Sequence, residues 1–286
     1  MQVGAAIVAS RFVVAQVPPL TLAMLRYAVG FLCLLPFALP LLRPALRLLR
    51  PRDAVALAAL GIGQFGILIA LLNFGLQRVA AAPAALIFSL FPLLTLLLAA
   101  ALGREQVGGR LAAGVLLSIA GVALSLAPKL GSPHGGDWWG ELAVLASAAV
   151  GALCSVLYRP YLQRYPTVPV SAYAMLASVL FLAVLAFGEG WPARVAMLGP
   201  ATWAVVLFIG LSSGIGYFCW LYALKHASPT RVTVFLALNP VTAALLGWAL
   251  LREPLPPQTL AALALIGAGL WLATRPLSGK RQPAPG

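Results

Sequence analysis

Polar side chains are rare in this chain of 286 residues, and those set within its apolar runs are the ones able to act on a solute. Arg11, Arg26, Gln64, Asn73, Ser89 and Asn239 each stand inside a long hydrophobic stretch. In hydrocarbon such a group is expensive and usually faces a bundle interior or a wet cavity, which makes each a candidate ligand. Of the two arginines, Arg26 has the clearer setting, seven residues after Pro19. Three roles stay open for it: attracting a carboxylate, bonding helix carbonyls, or snorkelling to an interface. Ser213, Tyr217 and Trp220 recur at spacings of four and three, so they share one helix face. An aromatic surface with one hydroxyl suits a mostly apolar solute, including one whose ring stacks. Phe65 stands 148 residues before Ser213. Tyr158, Phe88 and Phe235 lie in other runs and can join that lining, although filling space or meeting lipid explains aromatic residues equally well.

The chemistry that is missing narrows the class. The six acids are Asp53, Glu105, Asp137, Glu141, Glu189 and Glu253; with His134 and His226 they fall at the ends of apolar runs or between them. No acid cluster or His-Glu-x-x-His pair is present for a metal, and no G-x-x-x-x-G-K-[ST] loop for a nucleotide. No catalytic residue, metal or cofactor is therefore expected, and the chain is not expected to be an enzyme. Proton relays use acids or histidines within the membrane, and the nearest candidate is Glu141, one turn into its run. Cys33, Cys154 and Cys219 sit in apolar segments, where packing is their default role.

These residues need elements to position them. The chain is 62% hydrophobic and 9% charged. Soluble domains carry roughly 25% charged residues, so this composition excludes a soluble enzyme and indicates a polytopic membrane protein in a lipid bilayer. Nineteen basic residues against six acids give a net charge of +13, yet they are scattered singly and build no nucleic-acid face. Breaks in hydropathy divide the chain into ten spans: Gly4–Val17, Pro19–Leu42, Ala54–Leu76, Ala80–Leu102, Gly109–Leu126, Trp139–Tyr158, Val168–Phe187, Ala201–Leu224, Val232–Leu251 and Gln258–Thr274. The first is short, which fits either a chain that starts close to the membrane or a natural N-terminus longer than Met1. It lacks the basic lead of a cleaved signal peptide. Alternate connections carry 13 basic residues on one side and 4 on the other, with Arg11 and Arg26 inside spans. The richer side is expected to be cytoplasmic, with both termini there. Trp138 and Trp139 stand at a span boundary, where interfacial anchoring is expected.

A shift of 148 residues aligns the two halves: Pro92 with Pro240, Arg104-Glu105 with Arg252-Glu253, and Gly121 with Gly269. Residues 1–127 and 138–275 thus read as two five-helix repeats, joined by a loop at 128–137 and followed by a disordered cytoplasmic tail at 276–286. An odd number of spans inverts the second repeat, the pattern of secondary transporters with a midplane site. Pro92 and Pro240 are candidate hinges, and Glu105 and Glu253 candidate gates at opposite faces; static kinks and helix capping are the plainer roles. Gly114-x-x-x-Ser118 and Ala264-x-x-x-Ala268 mark small faces in spans five and ten, suited to packing within one chain. A monomer is expected, with dimerisation the weaker option.

The segment from Val17-Pro18-Pro19-Leu20-Thr21 to Arg26-Tyr27 is similar to the second-helix motif of the EamA family, in the drug/metabolite transporter superfamily. Phe91-Pro92-Leu93 to Arg104-Glu105 and Asn239-Pro240-Val241 to Arg252-Glu253 resemble that family's paired fourth and ninth helices. Within the family the chain most resembles bacterial amino-acid exporters of the YddG type. The resemblance implies ten helices, a central cavity, and export of amino acids or related metabolites from the cytoplasm. Arg26 is a departure, because the seventh span has no basic counterpart. The expected function is export of amino acids, including aromatic and other neutral ones, across the bacterial inner membrane. The expected mechanism is alternating access by a facilitator. The alternative is an exporter of other small metabolites or drugs, such as nucleobases, sugar derivatives or amphipathic compounds, with proton coupling as a variant.

Overall fold

The computed structural model describes residues 2–103, 109–130, 138–227, 229, 232, 239–253 and 256–274. In chain order the main helices are α1 (Gln2–Val13), α2 (Pro19–Leu48), α3 (Pro51–Leu76), α4 (Ala81–Ala101) and α5 (Gly109–Leu130). Then come α6 (Trp139–Arg164), α7 (Thr167–Ala186), α8 (Pro200–His226), α9 (Asn239–Leu251) and α10 (Pro257–Thr274). A short helix, Trp191–Ala196, lies between α7 and α8. Six described segments are long and apolar enough to cross a membrane, within α2, α3, α4, α6, α7 and α8. Shorter apolar helices, among them Val3–Val13 and Asn239–Leu251, fill the other positions.

The outer surface matches that reading. Phe37, Val55, Val184 and Trp248 are all more than half exposed, an apolar exterior that lipid rather than water would solvate. Inside, small residues let helices approach closely, as expected where apolar burial alone does not drive helix association. A Cβ on Gly214 of α8 would come within 2.8 Å of the Gly30 carbonyl of α2, and one on Gly269 of α10 within 2.6 Å of the Gly114 carbonyl of α5. The small face read in span five, Gly114 to Ser118, therefore packs on Gly269 of α10, whereas Ala264 and Ala268 of α10 are exposed and take no part in that contact.

Two helices depart from the regular spans expected from hydropathy. α3 contains a π-helical segment, Ile62–Ile67, in its middle. Its tight neighbours explain why glycines stand there: a Cβ on Gly61 would come within 2.7 Å of Ala174 Cα, and one on Gly63 within 2.8 Å of Cys154 Sγ. α4 is two pieces, Ala81–Phe88 and Phe91–Ala101, parted at Ser89-Leu90. Pro92 thus stands in the first turn of the second piece instead of bending the middle of a continuous helix. A proline is favoured there, since its missing N–H needs no partner in a first turn. Pro240 lies in α9, which is described from Asn239 on. α1 ends at Val13, four residues short of the expected span.

Candidate functional site

A cavity of about 110 Å³ lies within the bundle, lined by α1, α2, α3, α4 and α8. It is smaller than the roughly 150 Å³ engineered cavity that accepts benzene, so a solute of amino-acid size requires its walls to part. Val3, Ala6 and Ile7 of α1 and Leu68, Ile69 and Leu72 of α3 supply an apolar lining. Phe88 and Phe91 of α4 and Tyr217 and Trp220 of α8 supply rings. The polar groups are Arg26, Gln64 and Ser213.

Arg26 is 5% exposed. Its Nε donates to Ser213 Oγ at 2.6 Å, and that hydroxyl donates to the Ile209 carbonyl at 2.6 Å. Its guanidinium carbon lies 5.7 Å from the centroid of the Tyr27 ring. Among the described residues its terminal nitrogens form no hydrogen bond and no ion pair, so the free end of the fork is available to the cavity. A buried charge without an opposite charge is costly, which marks this arginine as more than a packing residue. Gln64 comes from the π-helical segment, a distortion frequent at functional sites. It is 2% exposed, and its amide oxygen has no hydrogen-bond partner among the described residues. The rings form two clusters. Phe65 meets Tyr217 edge-on with centroids 4.7 Å apart, Tyr27 lies 5.2 Å from Phe65, and Phe91 bridges Phe88 at 5.5 Å and Trp220 at 6.0 Å.

Of the residues read from the sequence, Arg26, Gln64, Phe88, Ser213, Tyr217 and Trp220 converge on this cavity. The others lie elsewhere. Phe65 is fully buried behind Tyr217. Asn73 donates its amide to the Pro19 carbonyl at 3.1 Å, tying the end of α3 to the start of α2. Ser89 returns its hydroxyl to the Leu86 carbonyl at the break in α4. Tyr158 is fully buried, and its hydroxyl has no hydrogen-bond partner among the described residues. Asn239 opens α9, where its carbonyl stands against Gly4 of α1. Phe235 and Glu105 lie outside the described residues. The sequence reading missed Phe91, Gly216, Tyr27 and the α1 wall. Phe91 follows Phe88 by three and Gly216 follows Ser213 by three, a same-face spacing that was available.

The candidate gate Glu253 and the second arginine, Arg11, sit together at one end of the bundle. Both Glu253 oxygens accept the Ala81 backbone N–H, at 3.2 and 3.0 Å, at the start of α4. Arg11 Nε lies 3.6 Å from Glu253, and Arg11 Nη1 donates to the Leu76 carbonyl at 2.8 Å. At the same end Glu189 accepts the backbone N–H groups of Leu20 and Thr21, at 3.1 and 2.7 Å, and the Thr21 hydroxyl at 2.7 Å. Both carboxylates meet helix N-termini, whose unpaired N–H groups and dipoles favour an anion. Thr202 of α8 also donates to the Gln16 side chain, at 2.8 Å. At the opposite end, the Tyr165 hydroxyl donates to Asp53 at 2.6 Å, and this bond holds the phenol's proton above its ordinary range.

A helical bundle with an apolar exterior, an interior cavity and polar ties at its end defines a multi-pass membrane protein. Comparisons with known proteins place it more closely. The EamA-like transporter family matches residues 2–127 and 138–275, and the chain belongs to that family. It is 26% identical over 276 residues to an uncharacterized transporter of Archaeoglobus fulgidus, covering 95% of this chain and 94% of the relative. It is 32% identical over 239 residues to a probable terminal-alkyne amino-acid exporter of Streptantibioticus cattleyicolor, covering 82% of this chain and 78% of the relative. A solved crystal structure shares the fold with a TM-score of 0.67 at 25% identity, over 96% of this chain and 94% of that one. The protein is a membrane transporter of this family.

Proposed function

We propose that the protein exports amino acids, aromatic and other neutral ones included, across the bacterial inner membrane by alternating access. The observation that carries this reading is Arg26, a buried cation that faces an apolar, ring-lined cavity with Gln64 and Ser213 beside it. A guanidinium presents a planar fork of donors suited to a carboxylate, and the rings suit an apolar side chain. The amino-acid export named for one relative supports the same cargo. In this reading ten helices cross the membrane as two inverted repeats, 1–127 and 138–275, with both termini cytoplasmic. The ties of Glu253 and Glu189 then close the outer end. A monomer suffices, since one chain encloses the cavity, and no catalysis is involved.

The six acids all fall at the ends of the apolar runs or between them, and Glu253 and Glu189 are engaged with backbone N–H groups at helix starts. Among the described residues no carboxylate is placed to carry a proton at mid-depth, so the solute runs down its own gradient. Counterflow in proteoliposomes across amino acids, nucleobases and cationic dyes tests the cargo: labelled amino acids are expected to exchange and dyes are not. Exchange of nucleobases or dyes alone would remove the amino-acid reading. An imposed pH gradient is expected to leave the final solute level equal inside and out; concentrative uptake would show a proton-coupled exporter instead.

A further inference from the structure

We infer that the cavity recognises the carboxylate of its cargo and makes no use of an α-ammonium. N-capped and deaminated derivatives of amino acids would then be cargo as good as the amino acids themselves. The inference rests on the cavity being the transport site, as proposed above.

The argument is one of charge. Helices α1, α2 and α8 contain no acidic residue anywhere along their length. In α3 the one acid is Asp53, eleven residues before Gln64, or about 16 Å along a helix. Asp53 is bonded there to Tyr165. Glu105 follows Phe91 by fourteen residues, and the stretch 228–238 holds no acid at all. Glu189 and Glu253 are held at helix N-termini, and Glu141 stands in the first turn of α6. The charge that faces the cavity is therefore the single cation of Arg26, beside the neutral groups Gln64 and Ser213.

A monocarboxylate brings that site to neutrality. A zwitterion does not, because its ammonium enters a small apolar space beside a like charge with no anion to meet it, and both desolvation and repulsion count against it. The rings of Phe88, Phe91 and Trp220 offer an ammonium only their faces, a weak substitute for a carboxylate. An amine that lacks a carboxylate has nothing to gain from Arg26 and is repelled by it.

The test uses the full-length protein purified in detergent and four probes at pH 7: phenylalanine, N-acetylphenylalanine, 3-phenylpropionate and phenethylamine. Calorimetric titration is expected to show the two monoanions binding at least as tightly as phenylalanine. Phenethylamine is expected to bind at least about tenfold more weakly than either. Arg26→Gln should weaken both monoanions by about tenfold or more, as loss of a charge-assisted hydrogen bond would. Arg26→Lys, which keeps the charge but not the fork, guards against a folding defect and should retain an intermediate affinity. Phenylalanine binding tenfold tighter than 3-phenylpropionate, or no binding by any probe, would overturn the inference. Counterflow of the same compounds separates this from the export reading. Monoanions that bind without crossing the membrane remove the export reading alone. Phenylalanine that crosses while 3-phenylpropionate does not removes the carboxylate inference alone.

Discussion

Replacing Glu253 with alanine removes two interactions at one end of the bundle and should shift the protein toward a state open at that end. The carboxylate accepts the Ala81 N–H with both oxygens, at 3.2 and 3.0 Å, which makes it the cap of α4. Loss of a helix cap costs about 1 kcal/mol, with extremes near 2. The Arg11 contact is longer, 3.6 Å, with the two side chains 32% and 14% exposed. A pair of that kind contributes about 0.5 kcal/mol once screening and side-chain entropy are counted. Together the loss is about 1.5 kcal/mol, or roughly a 13-fold change in the ratio of closed to open states. Spin labels on the exposed positions Arg78, between α3 and α4, and Met197, between α7 and α8, report the separation by pulsed electron resonance. The wild-type protein is expected to give mainly the short distance and Glu253→Ala a substantial longer population. Glu253→Gln, which keeps an acceptor but loses the charge, should fall between them. Identical distance distributions in all three proteins would refute the idea that this contact holds the end shut, leaving it a cap and nothing more.

Further outcomes follow from the helix geometry. Pro240→Ala in α9 is expected to leave membrane insertion intact and slow exchange, read as a reduced counterflow rate at equal protein density. Gly61→Val places side-chain atoms against the Ala174 backbone, and such overpacking should cost about 1–3 kcal/mol, seen as a lower Tm in detergent. Gln64→Ala should weaken a bound carboxylate by about tenfold or more through loss of one charge-assisted hydrogen bond, read by titration, with Tm little changed.

Hydropathy makes the bundle legible because lipid imposes one demand on every span, a long apolar run, and the demand is written locally. The face formed by Ser213, Tyr217 and Trp220 is legible for a similar reason, since spacing along one helix needs no knowledge of its neighbours. What lies between helices is not written in this way. Gln64 and Asn73 look alike in sequence, each a lone amide in an apolar run, yet one faces the cavity and the other bonds the Pro19 carbonyl of another helix. What sequence does not announce is the π-helical segment Ile62–Ile67 from which Gln64 projects. Its trace in the sequence is the close set Gly61, Gly63 and Gly66, a signal of tight backbone approach rather than of a π-helical turn. The break in α4 was hidden by the same locality. Pro92 is visible, but whether a proline bends a helix or begins one depends on what Ser89 and Leu90 do just before it.

The two glutamates at the tied end accept the backbone N–H groups of Leu20, Thr21 and Ala81, besides their side-chain contacts with the Thr21 hydroxyl and Arg11. A contact with a backbone N–H survives any replacement of the residue that bears it, proline excepted. The backbone share of this closure is thus insulated from sequence drift on the side that receives it, and the ties use no residue that lines the chamber below. Such a division lets a lineage retune what it carries, by altering rings and amides around Arg26, without having to reinvent how it shuts.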